Sequence, residues 1–369
     1  MRLLIAGGGT GGHLFPAVAI GKEFLKAGND NEVLFVGTRR GLEKRVLDKE
    51  GFRLEYVDVK PLVGKGVLKK LTSVMTLPKS MLQARSIIRS FKPDFALGVG
   101  GYSSGPVILC AKMMGIRTGI QEQNIYPGVT NRLLKRFADI VFLAFKEAKM
   151  FFEEGKVCIT GNPVRQSLFE ADAKKAYETL NLDESRFTVM VFGGSLGAES
   201  INSALINNLD KLEAVKGEIQ IVHQTGEKDF ERVREVYDSS NLKSFVAPFI
   251  FNMHDAYEVA DVIICRAGAT TISEVAALKK PAVLVPYPHA AGDHQTKNAE
   301  NLTQQNMAMM IKDDELDSKL VGIIMELHAN RDKLDELRNN IGTIGKSDAA
   351  KEIVQKIIEK VTGEASNVS

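Results

Sequence analysis

The 369-residue sequence lacks three features that would each assign it to a broad class. No apolar run approaches the ~20 residues that a membrane-spanning helix needs. The formal net charge is only +2, which gives no overall attraction to nucleic acid. The three cysteines, Cys110, Cys158 and Cys265, are scattered without metal-ligand spacing, which is typical of reduced thiols in a cytosolic protein. What remains is ordinary globular composition, 44% hydrophobic and 25% charged, in a chain long enough for two domains.

Short apolar segments alternate with helix-length amphipathic segments along the chain, and the pattern begins again at "RFTVMVF". Buried parallel strands joined by crossover helices produce such a pattern. The sequence therefore predicts an α/β protein with two Rossmann-like, doubly wound domains. We place them at residues 1–161 and 162–345, with the boundary at "TGNPVR". A C-terminal helix over about residues 346–362 is expected to pack back on the first domain.

The stretch "AGGGTGGHLFP", residues 6–16, follows an apolar strand and leads into a helix. Gly7, Gly9 and Gly12 satisfy the G-x-G-x-x-G pattern of dinucleotide sites. That pattern also requires an acidic residue at the end of the second strand, where this chain has Arg39 and Arg40. This loop alone therefore leaves three possibilities open: an NADP site, another anion site, or a tight turn without a ligand.

Three further glycine loops favour bound anions over empty turns. They are "GVGGYSSGP" (98–106), "FGGSLGAES" (192–200) and "CRAGATTISE" (265–274). Each offers backbone N–H groups and the start of a helix, which together form an anion cradle. In the last loop Glu274 lies about one helical turn in, where it can bind the hydroxyls of a ribose or cap the helix. Two sets of such loops predict one substrate for each domain.

Seven motifs in this order resemble those of the MurG family: "GGTGGHLFPA", "GVGGYSSGP", "QEQNIYPGVTN", "TGNPVR", "GGSLGA", "CRAGATTISE" and "DHQTKNA". That family transfers N-acetylglucosamine from UDP-N-acetylglucosamine to the muramyl 4-hydroxyl of lipid I, the undecaprenyl-pyrophosphoryl muramyl pentapeptide, and gives lipid II with inversion. The resemblance implies a GT-B fold with two domains facing across a cleft. It also implies a peripheral protein on the cytoplasmic face of the cell membrane. We expect no cofactor and no metal, and the sequence has no Asp-x-Asp motif.

The resemblance further implies which residues bind the donor. Glu274 would hold the ribose, the backbone of Ile250 the uracil, and Gln295 the sugar. The residues that would face the donor diphosphate are Arg165, Ser195, Ala269, Thr270 and Thr271. The chain has Leu196 where the family usually has Gln, so a side-chain contact assigned there does not transfer.

On the acceptor side the resemblance implies seven residues, Thr10, Gly11, Gly12, His13, Tyr102, Asn124 and Asn131. His13 and Glu122 are the candidate bases for the acceptor hydroxyl. For each there is a structural alternative: His13 would cap a helix and pack its loop, and Glu122 would order the "QEQN" loop. The chain has Gln121 where the family usually has His.

A basic segment begins at Lys60 and ends at Lys92. It contains eight Lys or Arg residues and no Asp or Glu, with apolar residues between them. This composition suits docking onto an anionic membrane surface. Phe91 is its one aromatic residue, so stacking on nucleic acid bases is poorly supported. A pair of solvated surface helices is the alternative.

Three other functions stay open at this point. One is a different GT-B transferase that glycosylates a lipid from a UDP-sugar; it would share the second-domain motifs but need not share "GGTGGH" and "QEQN". Another is an NADP-dependent oxidoreductase, which would leave "RAGATTISE" without a role. The third is a nucleotide-binding module without catalytic activity.

Overall fold

The computed structural model describes residues 1–39, 43–59, 67–194 and 196–363. The chain divides into two compact units, Met1–Arg165 together with the segment from Lys346, and Gln166–Gly345. Residues 162–165, assigned to the second domain from the sequence, lie in the first unit. Ser195, Arg40 and residues 60–66 of the basic segment lie outside the described residues.

The first unit contains a parallel sheet of seven strands in the order β3-β2-β1-β4-β5-β6-β7. The strands are β1 (Arg2–Ala6), β2 (Glu32–Gly37), β3 (Arg53–Tyr56), β4 (Phe95–Gly98), β5 (Arg117–Glu122), β6 (Ile140–Leu143) and β7 (Val157–Ile159). The helices before the domain boundary are α1 (Gly11–Lys26), α2 (Glu43–Lys49), α3 (Val67–Phe91), α4 (Ser104–Met113) and α5 (Val129–Leu134), with 3₁₀ turns at Lys146–Phe151 and Glu154–Lys156.

The second unit repeats this plan with six parallel strands in the order β10-β9-β8-β11-β12-β13. These are β8 (Phe187–Phe192), β9 (Ile219–Gln224), β10 (Ser244–Ala247), β11 (Val262–Arg266), β12 (Ala282–Val285) and β13 (Met309–Met310). The helices are α6 (Ala173–Leu180), α7 (Glu199–Ile206), α8 (Leu209–Glu213), α9 (Phe230–Asp238), α10 (Met253–Val259), α11 (Ala269–Ala277), α12 (His294–Gln304), α13 (Leu316–Ala329) and α14 (Arg331–Gly342). 3₁₀ turns lie at Gln166–Phe169, Ala291–Asp293 and Asp313–Glu315.

The strands are continuous apolar runs because helices cover both faces of each sheet. In β1, Leu4 packs into the cluster on one face of the sheet, while Leu3 and Ile5 pack into the cluster on the other. All three side chains are fully buried. This arrangement confirms the predicted fold class of two Rossmann-like α/β domains.

Both sheets reverse their strand order beside their first strand. β1 lies between β2 and β4, and β8 lies between β9 and β11. Loops at such a switch point leave the sheet in opposite directions, which opens a crevice at the carboxyl ends of the strands. The four glycine loops follow β1, β4, β8 and β11, so each unit carries two of them at its own switch point.

The last helix, α15 (Ala349–Thr362), belongs to the first unit although it follows the second in sequence. Its buried residues Ile353, Val354 and Ile357 share a core cluster with Ile20 and Phe24 of α1. Among the described residues, none of the helices combines the length and apolarity required to cross a bilayer.

We expect Ile357→Ala to lower the free energy of unfolding of the first unit by about 2–4 kcal/mol, because it leaves a cavity in the core under α1. Lys351→Ala, on the exposed face of the same helix, is the matched control and should change stability by less than about 0.5 kcal/mol. Chemical denaturation of the full chain measures both. Equal effects of the two substitutions would show that α15 does not contribute to the core.

Candidate active site

In the first unit, the loops after β1 and β4 pack backbone against backbone. The hydroxyl of Ser104 donates to the carbonyls of Ala6 (2.6 Å) and Gly100 (2.8 Å). Gly101 has φ +81°, and a Cβ there would lie 2.5 Å from the carbonyl oxygen of Gly8. These glycines are therefore required for the two loops to approach each other, independently of any ligand.

His13 lies in the first turn of α1, and two residues lie close to its ring. Gly100, with φ +94°, lies against the ring so closely that a Cβ would come within 2.7 Å of His13 Cε1. Nδ1 of His13 also lies 3.2 Å from Oε1 of Gln123, just after β5. Loops at the ends of three neighbouring strands, β1, β4 and β5, thus fix the position of the His13 ring.

Glu122 ends β5, is fully buried, and accepts four hydrogen bonds. Oε1 accepts from the backbone N–H (3.0 Å) and side-chain amide (3.2 Å) of Asn124. Oε2 accepts from the backbone N–H of Gly128 (3.0 Å) and the side-chain amide of Asn131 (2.9 Å). Because these donors fill both oxygens, the geometry favours the loop-ordering interpretation of Glu122.

Glu43 is a buried carboxylate at the first glycine loop that sequence reasoning missed. Its Oε1 accepts the backbone N–H of Gly9 at 2.8 Å. In a dinucleotide site this part of the loop faces the pyrophosphate, so a carboxylate here disfavours an anion at Gly9. The dinucleotide motif places its acidic residue at the end of β2. Glu43 lies beyond that point, on α2, so the motif could not predict it.

The acceptor-side candidates all lie at the carboxyl ends of β1, β4 and β5. Thr10 immediately precedes α1, and Gly11 and Gly12 begin it. Tyr102 lies on the loop after β4 with 42% of its surface exposed, and Asn124 and Asn131 hold Glu122.

Arg165, expected at the donor diphosphate, belongs to the first unit. Its guanidinium lies 5.1 Å from the centre of the Phe15 ring of α1. The structure thus brings Arg165 together with the helix that carries His13.

In the second unit, Gln224 connects two loops that carry donor candidates. Its Nε2 donates to the carbonyl of Gly194 (2.9 Å), and its Oε1 accepts the backbone N–H of Ile250 (2.8 Å). The turn at Gly226, with φ +81°, packs directly against the carbonyl of Leu196. The side chain of Leu196 is 88% exposed. The sequence analysis did not identify Gln224. Its position at the end of β9, where ligand-binding loops begin, was the feature that could have pointed to it.

Glu274 lies on α11, one turn after the helix start formed by Ala269, Thr270 and Thr271. Its carboxylate is buried and accepts a hydrogen bond from the hydroxyl of Tyr257 at 2.9 Å. Burial, with a smaller contribution from this carboxylate, raises the pKa of the neighbouring Cys265 thiol.

Arg266, at the end of β11, ties the surrounding loops together. It donates to the hydroxyl of Ser200 (2.7 Å) and pairs with Asp313, and its guanidinium lies 5.4 Å from the centre of the Tyr287 ring. Gln295, near the start of α12, accepts the backbone N–H of Tyr287 at 2.9 Å. Arg266 therefore orients the segment that carries Gln295, a role that its place in "CRAGATTISE" did not reveal.

Behind these loops lies His223, which is completely buried in β9. Its Nε2 lies 3.0 Å from Oδ1 of Asn202, whose amide donates to the carbonyl of Thr225 (2.9 Å). Its Nδ1 lies 3.3 Å from the hydroxyl of Tyr237. Burial lowers the pKa of His223 to about 3, so the ring is neutral. Within the described ranges, His, Cys, Asp and Glu nowhere form a group of three that could hold a metal ion.

The depressed pKa of His223 predicts acid sensitivity of the second unit. Between its ordinary pKa of about 6.5 and its folded pKa of about 3, only the unfolded state binds the proton. The free energy of unfolding should therefore fall as pH falls below about 6.5, by up to about 1.4 kcal/mol per pH unit. His223→Gln should flatten this dependence, measured by urea denaturation, whereas His289→Gln, at an exposed position, should not. Parallel pH profiles for all three proteins would refute the role of His223.

The chain matches two domains of one family: the glycosyltransferase family 28 N-terminal domain over residues 3–143, and its C-terminal domain over residues 188–356. Two relatives carry the name UDP-N-acetylglucosamine--N-acetylmuramyl-(pentapeptide) pyrophosphoryl-undecaprenol N-acetylglucosamine transferase. The protein of Citrifermentans bemidjiense is 46% identical, with 98% of this chain and 100% of the relative covered. That of Myxococcus xanthus is 44% identical, with 97% and 93% covered.

Solved structures give the same result. The crystal structure of Acinetobacter baumannii MurG superposes with a TM-score of 0.77 at 30% identity and covers 97% of this chain and 99% of its own. A UDP-GlcNAc 2-epimerase from Neisseria meningitidis, bound to UDP-GlcNAc, has a TM-score of 0.69 at 14% identity, covering 97% and 100%, and so shares the fold alone. From the matched domains and the nearly full-length relatives, the chain belongs to glycosyltransferase family 28 and, within it, to the MurG family of N-acetylglucosamine transferases.

Proposed function

We propose that this protein transfers N-acetylglucosamine from UDP-N-acetylglucosamine to the 4-hydroxyl of the muramyl sugar in the undecaprenyl-pyrophosphoryl muramyl pentapeptide, with inversion at the donor carbon. It is a glycosyltransferase, and its relatives are named for this donor sugar and this acceptor. One observation of the geometry carries the proposal. Each unit has its own loop pair at the switch point of its own sheet, as a transferase with two phosphorylated substrates requires.

The second unit supplies the parts of a donor site. The N-terminus of α11 offers backbone N–H groups and a helix dipole to the diphosphate, whose charge grows as UDP leaves. In this proposal Glu274 accepts hydrogen bonds from the ribose hydroxyls; its support is the buried carboxylate, to which Tyr257 donates. Ile250 presents its backbone on a loop that Gln224 fixes, and Gln295 lies near the start of α12, toward the sugar. Ser195 is part of the same proposal but lies outside the described residues.

The first unit supplies the acceptor side and the base. His13 takes the proton of the acceptor hydroxyl while that oxygen bonds to C1 of the donor sugar and the C1–oxygen bond to UDP breaks. We prefer His13 to Glu122 because four donors already occupy the oxygens of Glu122. Arg165, beside α1, adds a positive charge for the diphosphate.

Two alternative functions are less well supported. An NADP site in the first unit would need the N–H of Gly9, which Glu43 already occupies. An epimerase is suggested by fold neighbours that share only 13–14% identity. The direct test is transfer of labelled N-acetylglucosamine to a lipid I analogue, with UDP-N-acetylglucosamine alone as the control for epimerisation. Epimerised donor without transferred sugar would overturn the proposal.

Glu274→Gln should raise the donor KM roughly 10- to 150-fold, because a charge-assisted hydrogen bond at a buried site contributes about 1.5–3 kcal/mol. Tyr257→Phe, which removes only the supporting hydroxyl, should raise it less. The KM for the lipid acceptor should change by less than about twofold in both. Glu178→Gln, the same change on the exposed face of α6, is the control. An unchanged donor KM in Glu274→Gln would show that Glu274 does not bind the ribose.

We also propose that the basic segment holds the protein on the cytoplasmic face of the membrane. Its described part exposes Leu82, Arg85 and Arg89 on α3. Beside it an apolar groove of about 170 Å³ borders the acceptor candidate Tyr102. The other residues that line this groove are Val59, Thr76, Leu77, Gly105, Pro106, Leu109, Thr130, Leu133, Leu134 and Phe137. A lipid-linked substrate would meet the protein on this side.

Reversing two charges, Arg85→Glu with Arg89→Glu, should weaken binding to vesicles with anionic lipid at least tenfold, since each basic residue near such a surface contributes about 1 kcal/mol. The control, Lys174→Glu with Lys175→Glu on α6, makes the same charge change in the second unit. Co-sedimentation at low and high salt measures both. Equal loss of vesicle binding in the two variants, or vesicle binding that does not depend on salt concentration, would refute the proposal that this face of α3 binds the membrane.

A further inference from the structure

A line of buried amide side chains runs behind His13. Asn162 Oδ1 accepts from Nε2 of Gln121 at 2.8 Å, and Oε1 of Gln121 accepts from Nε2 of Gln123. Gln123 then reaches Nδ1 of His13 through its Oε1, at 3.2 Å. The three amide residues are at most 3% exposed. None of the three can take up or release a proton near neutral pH.

The orientation of the Gln123 amide follows from its backbone partner. Nε2 of Gln123 lies 2.7 Å from the carbonyl oxygen of Val99. A carbonyl can only accept, so the group that faces it must be the NH₂. The Oε1 of Gln123 must therefore face His13, and a carbonyl oxygen facing a ring nitrogen requires that nitrogen to carry the hydrogen.

We propose that Gln123 is a positioning residue that fixes the tautomer of His13, with the proton on Nδ1 and the lone pair on Nε2. This inference deepens the proposed function and rests on it, because it identifies Nε2 as the atom that takes the acceptor proton. Gly100 lies against the ring near Cε1 and Nδ1, and Gln123 lies at Nδ1. An imidazole oriented in this way presents a single basic nitrogen with a defined direction.

An amide orients the ring without the charge of a carboxylate. A carboxylate at the same place would favour the imidazolium form and raise the pKa of His13. Among the described residues, the charged side chains near His13 include Glu43, bonded to Gly9, Glu122, bonded to its four donors, and Arg165, over Phe15. An uncharged partner at Nδ1 orients the ring without that effect.

The tautomer is measured directly by NMR of the full chain labelled with ¹⁵N-histidine, and His13→Gln identifies the His13 signals. At a pH above the titration of His13, we expect a protonated Nδ1 and an unprotonated Nε2. Gln123→Leu should shift the ring toward a mixture of tautomers. The matched control is Gln220→Leu, which removes a buried glutamine of the second unit whose Nε2 also donates to a carbonyl, that of Asp183, at 2.7 Å. A proton on Nε2 in the unmodified protein, or no change in Gln123→Leu, would overturn the inference.

Kinetics separate positioning from a merely structural role. Gln123→Leu should lower kcat at least tenfold and leave the donor KM within about twofold. Gln123→Glu should move the acidic limb of the kcat–pH profile upward by about one pH unit, because a charged partner favours the imidazolium. An acidic limb that stays in place in Gln123→Glu would refute the inference. If the unmodified protein transfers no sugar, the proposed function fails, whereas the NMR measurement still decides the tautomer.

Discussion

The close approach of neighbouring backbone loops at the carboxyl ends of the strands is the constraint on which both candidate sites depend. In the first unit the loop after β4 lies against the loop after β1, and a side chain at Gly101 would collide with the carbonyl of Gly8. In the second unit the turn at Gly226 lies against Leu196 in the same manner. Helix starts, strand ends and candidate side chains converge only because these loops lie so close together. The glycines therefore serve the architecture first, and ligand binding follows from the N–H groups they leave at the edge.

Three buried carboxylates lie close to the candidate sites, and Glu43 shows that a glycine loop is not automatically a phosphate site. Glu43 accepts an N–H of the first loop, Glu122 accepts four hydrogen bonds behind it, and Glu274 accepts a tyrosine hydroxyl beside α11. A carboxylate that fills an N–H group both satisfies that donor and repels an anion there. The first loop is therefore suited to a substrate that meets the start of α1 rather than Gly9. The first turns of α1 and α11 both lack acidic residues.

The sequence predicted what depends on neighbours in the chain. Apolar runs, glycine loops and their order gave the two sheets, because each strand and its following loop are local. It could not predict pairs that the fold assembles. Glu43 meets a residue 34 positions away, Gln224 one 30 positions away, and Arg266 one 47 positions away. For the same reason the sequence could not reveal that Arg165 lies over Phe15, since that contact depends on how the chain leaves β7.

Both units place polar groups that do not titrate near neutral pH directly behind their loops. In the first unit these are the amides of Gln121 and Gln123. In the second unit it is His223, which burial keeps neutral. If a group behind a loop gained or lost a charge as pH changed, it would alter the electrostatic field acting on a bound diphosphate. Such electrostatic interactions are strong where water is excluded. Groups that keep their protonation state hold that field constant. In the mechanism proposed above, the proton that moves during transfer is then confined to His13.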